Sequence, residues 1–276
     1  MCGRYAAGKE RDALALEFEV DTATARVLPP RWNIAPTAPI YIIKDESAEG
    51  KRTRHLDVAM WGLVPRWAAD MSIGAKMANA RCETVATKPS FRAAFAQQRC
   101  LIPVDGWYEW AAADMSLPAR SRPPKQPYYF QSGHEPGASS ALAGIYEWWH
   151  NPVDSAAPPL LTAAIITTDA YGHLADVHSR TPVLVGREQW DVWLDPDPAA
   201  PASGILASLL SRLPTIPVTI HPVSTRVNSA RSDDPGMVAP IALGAAQADA
   251  PTATSSAATG VSTRADGGDP DQVLLF

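Results

Sequence analysis

The sequence predicts an α+β fold with a mainly antiparallel, barrel-like β-sheet core and a few short flanking helices. Runs that have a strand pattern and are bounded by Pro, Gly or Asp outnumber the stretches with helical periodicity. These runs do not alternate regularly with helices, as they would in a doubly wound parallel sheet. The chain of 276 residues also contains 26 prolines and only 19% charged residues, which is typical of a loop-rich fold.

The individual elements follow from local periodicity. Helical spacing of apolar residues predicts an amphipathic helix over Lys9–Val20. The predicted strands are Pro39–Lys44, Leu56–Val64, Cys100–Trp110, Pro127–Ser132, Ala141–Trp149, Leu160–Thr168, Val183–Val185 and Ile216–Val223. Further helices are predicted over Phe91–Gln98, Glu188–Leu194 and Gly204–Leu213. Two segments rich in Ala, Pro and Ser, Ala111–Lys125 and Asn151–Pro159, are predicted to be surface loops.

The composition changes abruptly near Ala245. Up to that point the chain is long and apolar enough to bury one core of ordinary domain size. From residue 245 almost no large apolar side chain occurs until the last five residues. We therefore predict one folded domain over residues 1–244 and a disordered tail over residues 245–276.

Composition also argues against several classes of protein. No apolar run approaches 18 residues, and the stretch after Met1 lacks the form of a signal peptide. We therefore expect a cytoplasmic protein without a membrane partner. The three cysteines form no Cys-x-x-Cys pair and the six histidines are scattered, so we expect neither a metal site nor a cofactor. Cys82 and Cys100 are expected to be core residues.

The net charge of −5 argues weakly against nucleic acid as a partner. The tail contributes a net −3, because four aspartates follow residue 245 against the single Arg264. Subtracting that −3 from −5 leaves −2 for the domain. DNA binding would therefore require a local basic patch.

Cys2 directly follows the initiator methionine, so removal of Met1 would expose an α-amine beside a thiol. The reference pKa values of these groups, roughly 7.7–8.0 and 8.5, leave a fraction of each nucleophilic near neutral pH. An amine condenses with an aldehyde to a Schiff base, and a neighbouring thiol can close that imine to a five-membered thiazolidine. Taken alone, Cys2 would be interpreted as a chance residue at a frayed terminus.

Six motifs occur in a fixed order along the chain: MCGRY, WNIAPT, WGLVPRW, NARCET, DGWYEW and DVHSRTP. In this order they resemble the SRAP family, the SOS-response-associated peptidase domain of abasic-site-processing proteins. The resemblance extends from Met1 to about Ile241. It implies a covalent adduct between Cys2 and the aldehyde of an abasic site in single-stranded DNA, with self-processing that exposes Cys2. It also implies a nucleoid-associated location.

The resemblance assigns candidate catalytic roles to Cys2, Asn79, Glu109 and His178. An Asn amide can hold the terminal amine without titrating. Glu109 stands between aromatic residues, where a carboxylate should have a raised pKa suited to general acid–base work. His178 can exchange protons near neutral pH. Without the resemblance, Asn79 would be interpreted as a turn residue, Glu109 as a carboxylate at a strand edge and His178 as a structural histidine.

The resemblance also implies a DNA-facing surface. Its residues are Arg4, Pro36, Arg66, Trp67, Arg81, Thr167 and Arg180. Trp67 can stack on a base, and Arg4 and Arg180 are predicted to complete a small basic rim. Many relatives have a second aromatic residue after this Trp, whereas this chain has Ala68, which predicts a weaker wedge.

Two other classes of function remain open. N-terminal-nucleophile glutamine amidotransferases also begin Met-Cys-Gly, although none of their further motifs occurs here. A non-enzymatic DNA-binding adaptor would use the tail instead of Cys2. The tail ends in QVLLF, which resembles the short peptide by which bacterial repair proteins dock onto the sliding clamp. In that peptide Gln272 would supply hydrogen bonds, and Leu275 and Phe276 would supply apolar anchors.

Overall fold

The computed structural model describes residues 2–111, 125–133, 137–197 and 201–242. Twelve strands lie in these residues: β1 (Arg4–Ala7), β2 (Arg31–Ile34), β3 (Pro39–Ala48), β4 (Lys51–Trp61), β5 (Asn79–Arg81), β6 (Arg99–Val104), β7 (Gly106–Trp110), β8 (Pro127–Ser132), β9 (Ser140–Trp149), β10 (Leu160–Asp169), β11 (Arg180–Pro182) and β12 (Val218–Pro222). The α-helices are α1 (Arg11–Glu17), α2 (Arg92–Gln97), α3 (Trp190–Leu194) and α4 (Ala202–Arg212). Short 3₁₀ turns connect several of them.

The strands form two sheets that are mainly antiparallel, which confirms the predicted α+β class. The smaller sheet has the order β12-β8-β7-β1-β2. The larger has the order β11-β10-β4-β3-β6-β9, with β5 paired to β10. Within these sheets β10 runs parallel to β4 and β5 and antiparallel to β9 and β11.

The larger sheet curls, because β10 pairs with β9 and also with the end of β4. It does not close into a barrel: β3 and β6 share a single paired position, Ile43 with Leu101. The smaller sheet packs beside it through rings such as those of Tyr5 and Trp61, whose centroids are 5.0 Å apart. One continuous apolar core joins the two sheets and fixes their relative position.

The structure differs from the sequence prediction at several places. The predicted strand Leu56–Val64 is displaced, since β4 covers Lys51–Trp61. The predicted strand Cys100–Trp110 is two strands, β6 and β7, which belong to different sheets. The chain turns between them at Asp105, whose carboxylate accepts a hydrogen bond of 2.6 Å from the backbone N–H of Gly8. The strand predicted at Val183–Val185 lies three residues earlier in the chain, at β11 (Arg180–Pro182). The strands β1, β2 and β5 were not predicted, because runs of three or four residues carry little periodicity.

The described residues contain no helix that is both long and apolar enough to cross a membrane. The predicted loop at Ala111–Lys125 lies largely outside the described residues, as does the predicted tail over residues 245–276.

Candidate active site

Cys2 lies at the seam between the two sheets. It precedes β1, which runs antiparallel to β7 with Arg4 opposite Tyr108. The residues before Arg4 therefore run alongside those that follow Tyr108, and this brings the N-terminus to Glu109. The Cys2 side chain is fully buried, and its thiol lies 4.0 Å from the carbonyl oxygen of Arg4. Burial raises the pKa of the Cys2 thiol, and the charge of Glu109 raises it further.

Asn79 fixes the backbone of Cys2 from the larger sheet. Its Nδ2 donates a hydrogen bond of 2.8 Å to the carbonyl oxygen of Cys2. Asn79 is the first residue of β5, and the indole Nε1 of Trp61 holds the preceding residue by donating to the carbonyl of Ala78 at 3.0 Å. The Asn79 Oδ1 is buried and has no hydrogen-bond partner among the described residues. An amide oxygen of this kind is an acceptor available to a terminal amine.

Glu109 is the buried carboxylate of the site. It lies on β7 and is 2% exposed. Burial raises the pKa of Glu109 from its ordinary value of 4.5 to about 7. At neutral pH the protonated and ionised forms are therefore both populated, which is the condition for general acid–base catalysis.

His178 faces Glu109 across the site. Its Nδ1 lies 3.7 Å from the Glu109 Oε2, and the backbone N–H of Arg180 donates to the same Nδ1 at 3.0 Å. Burial lowers the pKa of His178 below its ordinary value. Because burial shifts both groups toward their neutral forms, the pair near pH 7 is a partly protonated acid beside a neutral imidazole.

The predicted basic rim of Arg4 and Arg180 is not found as an open surface. Arg4 donates from Nη1 to the Asn33 Oδ1 at 2.8 Å and to the carbonyl of Val227 at 2.9 Å. Arg180 is 8% exposed. The expectation placed both guanidiniums at the surface, but the protein uses them for intramolecular hydrogen bonds.

Two carboxylates surround the Arg180 guanidinium. It pairs with Glu83 and Asp169 at 2.6 Å each, and its Nη2 donates to the carbonyl of Thr167 at 2.8 Å. The hydrogen bond from Arg180 lowers the pKa of Glu83 to about 2. The buried hydroxyl of Thr167 lies beside the same guanidinium, at 3.4 Å. Thr167 is thus close to the Arg180 cluster instead of lying on an open DNA-facing surface.

Arg81 lies at the surface beside the site. It ends β5, two residues from Asn79, and its side chain is exposed. It has no hydrogen bond or ion pair to any described side chain. Asn79 and Arg81 flank the buried Ala80, so both lie on the same side of this extended segment.

The WGLVPRW motif forms a loop over residues 62–68, which we name the tryptophan loop. Trp67 is 60% exposed at its tip, whereas Ala68 is buried against Trp149. A second aromatic side chain at position 68 would have to displace this packing. Pro36 lies in another turn, half-buried, beside Thr37, whose backbone N–H donates to the carbonyl of Trp61 at 2.7 Å.

The structure also reveals residues that the sequence did not single out. Trp61 positions β5, and Glu83 and Asp169 neutralise Arg180. Glu147 is buried and pairs with Arg66 at 3.1 Å. Trp61 and Glu83 lie in the WGLVPRW and NARCET motifs, whereas Glu147 and Asp169 lie outside the six motifs. The sequence alone assigns none of them a role, because each acts on a residue of another segment.

Cys100 is buried in the core as predicted. Cys82 is partly buried and packs against the same core. The described residues contain no group of three or more His, Cys, Asp or Glu side chains arranged to hold a metal ion. The predicted clamp-binding residues Gln272, Leu275 and Phe276 lie outside the described residues.

Comparison with known proteins places this geometry in a family. Residues 1–230 match the family model described as SOS response associated peptidase (SRAP). The abasic site processing protein YoqW of Bacillus subtilis is 34% identical over 243 residues, a match that covers 86% of this chain and 99% of YoqW. The abasic site processing protein HMCES of Gallus gallus is 32% identical, over 77% of this chain and 65% of HMCES.

Solved structures agree in fold. A crystal structure of a protein from Bacteroides thetaiotaomicron has a TM-score of 0.70 at 23% identity and covers 87% of this chain and 100% of its own. That of a phage-related protein from Bordetella bronchiseptica has a TM-score of 0.58 at 30% identity and covers 80% of this chain and 94% of its own. The extent of the family match and the identity to its relatives together establish that the chain belongs to the SOS response associated peptidase (SRAP) family.

Proposed function

We propose that this protein processes abasic sites in single-stranded DNA by forming a covalent adduct through Cys2. The observation that carries the proposal is the placement of an N-terminal cysteine beside Asn79 and the buried Glu109. The relatives named abasic site processing proteins support the same substrate class.

The chemistry begins once Met1 has been removed by hydrolysis of its peptide bond. Glu109 assists opening of the abasic sugar, which exposes the C1′ aldehyde. The α-amine of Cys2 attacks this carbon, and loss of water gives the imine. The Cys2 sulfur then adds to the imine carbon while its proton moves to the nitrogen. The product is a five-membered thiazolidine, with no oxidant or cofactor consumed.

The environment of the thiol supports an amine-first order. Because the pKa of Cys2 is raised, the thiol stays protonated at neutral pH. A glutamine amidotransferase instead begins with attack by the thiolate, which forms when the α-amine takes the thiol proton. The buried carboxylate of Glu109 beside the thiol therefore disfavours that alternative.

One experiment separates the three classes of function. The full chain is incubated with an oligonucleotide that contains one abasic site, and separately with glutamine. We expect an adduct that survives denaturation, and no ammonia. Glutamine hydrolysis without an adduct would favour the amidotransferase, and DNA binding with neither product would favour the adaptor.

We propose that Arg81 and Trp67 bind the strand without taking part in the chemistry. Arg81→Ala should weaken binding to an intact single strand and reduce the slope of log affinity against log salt by about 1. Trp67→Ala should weaken binding by roughly 5- to 150-fold, the range of one lost base stack. Fluorescence anisotropy at several salt concentrations measures both changes.

The matched control for these variants is Lys51→Ala. Lys51 is an exposed cation at the far end of β4, ten residues or roughly 33 Å from Trp61. It should change neither the affinity nor the salt slope. An equal loss of affinity in Arg81→Ala and Lys51→Ala would mean that binding depends only on the overall charge of the protein.

We also propose that the terminal QVLLF docks onto the replication sliding clamp. The tail before it is rich in Ala, Ser, Thr and Gly and would act as a flexible tether, which raises the local concentration of the domain at the fork. Removing residues 272–276 should abolish binding to the purified clamp in a titration and leave adduct formation with a free oligonucleotide unchanged. Equal clamp binding by both chains, or by neither, would rule this out.

A further inference from the structure

The tryptophan loop is held rigidly along its length although Trp67 projects from it. The Gly62 N–H donates to the carbonyl of Ala163 at 2.8 Å, and the Val64 N–H donates to the Thr162 Oγ1 at 3.0 Å. At the other end, the indole Nε1 of Trp149 donates to the carbonyl of Ala68 at 2.8 Å. An exposed aromatic ring on a fixed backbone is preorganised to stack on a ligand.

Between these two ends the loop is held by Glu147. Arg66 donates from Nε to the Glu147 Oε2 at 3.1 Å and from Nη2 to the Oε1 at 3.3 Å, a two-pronged contact. The same Nη2 also lies 3.2 Å from the Gln98 Oε1. The Glu147 side chain is 6% exposed, whereas that of Arg66 is 58% exposed. The anchor is therefore buried and the residue that it holds faces solvent.

Glu147 is itself fixed by the larger sheet. It lies on β9 opposite Thr162 of β10. Its carbonyl accepts a hydrogen bond of 3.2 Å from the Thr162 Oγ1, the atom that accepts from Val64. Its Oε1 also accepts from the backbone N–H of Trp148 at 3.2 Å. Contacts within the larger sheet thus fix both the backbone and the carboxylate of Glu147, independently of any ligand at the tryptophan loop.

A buried carboxylate that loses its cation is strongly destabilised, so Arg66 is not free to leave Glu147 for a phosphate. Its Nη1 has no hydrogen-bond partner among the described residues. Arg66 can therefore meet a phosphate with Nη1 while Nε and Nη2 keep the contact to Glu147. Lysine could not do both, because it lacks the planar fork.

We propose that Glu147 is a positioning residue for single-stranded DNA, acting through Arg66 to set the orientation of Trp67. The inference rests on the strand contact by Trp67 that is part of the proposed function. In this role Glu147 strengthens DNA binding through Arg66, although its own negative charge would repel the DNA phosphates.

The test measures the affinity of the full chain for an undamaged oligothymidylate, so that no crosslinking is needed. Glu147→Gln keeps the shape of the side chain but removes its charge and one of its two acceptor oxygens. Glu147→Ala removes both acceptors. We expect about 5- to 10-fold weaker binding for Glu147→Gln, and at least as much for Glu147→Ala. Glu49→Gln, which removes an exposed charge at the β3–β4 turn, is the matched control and should bind as well as the parent.

A double-mutant cycle distinguishes positioning from a general structural role. In a Trp67→Ala background, Glu147→Gln should weaken binding by a smaller factor than in the parent, because only the contact between Arg66 and a phosphate is then left to lose. With a saturating abasic oligonucleotide, its maximal crosslinking rate should equal that of the parent, and only the half-saturating concentration should rise. Either unchanged or tighter binding by Glu147→Gln and Glu147→Ala, or the same fold loss with and without Trp67, would overturn the inference.

The two proposals can fail separately. A chain that binds oligothymidylate with the expected dependence on Glu147 but never crosslinks would disprove the proposed chemistry and leave the positioning role standing. A parent chain that does not bind oligothymidylate would overturn the positioning role itself.

Discussion

Cys2→Ala is expected to abolish the heat-stable DNA adduct completely. Alanine keeps the α-amine, so an imine can still form, but there is no sulfur to close the ring. An imine reverts by hydrolysis on heating, whereas a thiazolidine persists. The measurement is the band of reduced mobility on a denaturing gel after heating, with and without borohydride. Borohydride should reveal an adduct in Cys2→Ala that is absent without it.

Two further variants sharpen this result. Cys2→Ser has a far poorer ring-closing group and should also give at most a reducible imine. Cys82→Ala is the matched control, because Cys82 is a partly buried cysteine directly after β5 and has no proposed part in the chemistry. It should form the adduct at the parent rate. A heat-stable adduct formed by Cys2→Ala at that rate would contradict the account.

Glu109→Gln is expected to slow adduct formation by about 10²- to 10⁴-fold, the usual cost of losing a general acid–base. Because the pKa of Glu109 is about 7, its ionised form predominates above pH 7 and its protonated form below. A step in which the carboxylate acts as base should therefore accelerate as the pH rises from 6 to 8. In Glu109→Gln only the part of this dependence that comes from the Cys2 α-amine, whose reference pKa is roughly 7.7–8.0, should remain. Single-turnover rates across that range test both statements.

His178→Ala should slow the same steps, since His178 faces Glu109 at 3.7 Å. Neither variant should change the affinity for an intact single strand. If both lost affinity as much as Trp67→Ala does, the result would indicate unfolding instead of lost chemistry.

Thermal unfolding provides an independent check on Glu109. Its pKa in the folded state is raised above the unfolded value, so its contribution to stability is fully present below pH 4 and is lost as the pH rises through about 7. Glu109→Gln should therefore raise the Tm at pH 8 relative to the parent. A lowered Tm at that pH would show that the protein stabilises the ionised form of Glu109, contrary to the raised pKa.

The presence of the longer strands could be predicted from the sequence, although not always their ends, and the shortest strands were missed. Pro127–Ser132 was predicted with its observed ends, because six residues bounded by loops show a clear pattern. Asn79–Arg81 was missed, since three residues show no period and are held by pairing to Ile165–Thr167, more than 80 positions away. Local patterns do not contain such long-range pairing.

The same limit applies to the candidate site. The motifs identified Cys2, Asn79 and Glu109, and the structure brings them together from β5, β7 and the start of the chain. The environment of Arg180 could not be predicted, because its burial depends on Glu83 and Asp169, which lie on other segments. We expected Arg180 to be exposed, but it is buried and pairs with Glu83 and Asp169.

The most direct test of the central claim is the mass of the N-terminal peptide of the adduct. The chain is crosslinked to an abasic oligonucleotide, digested with nuclease and trypsin, and analysed by mass spectrometry. The account predicts that Met1 is absent and that the added mass lies on the peptide Cys2–Arg4, equal to the sugar remnant minus one water. An adduct on a lysine or on any other cysteine, or an unmodified N-terminal peptide beside a stable adduct, would contradict it.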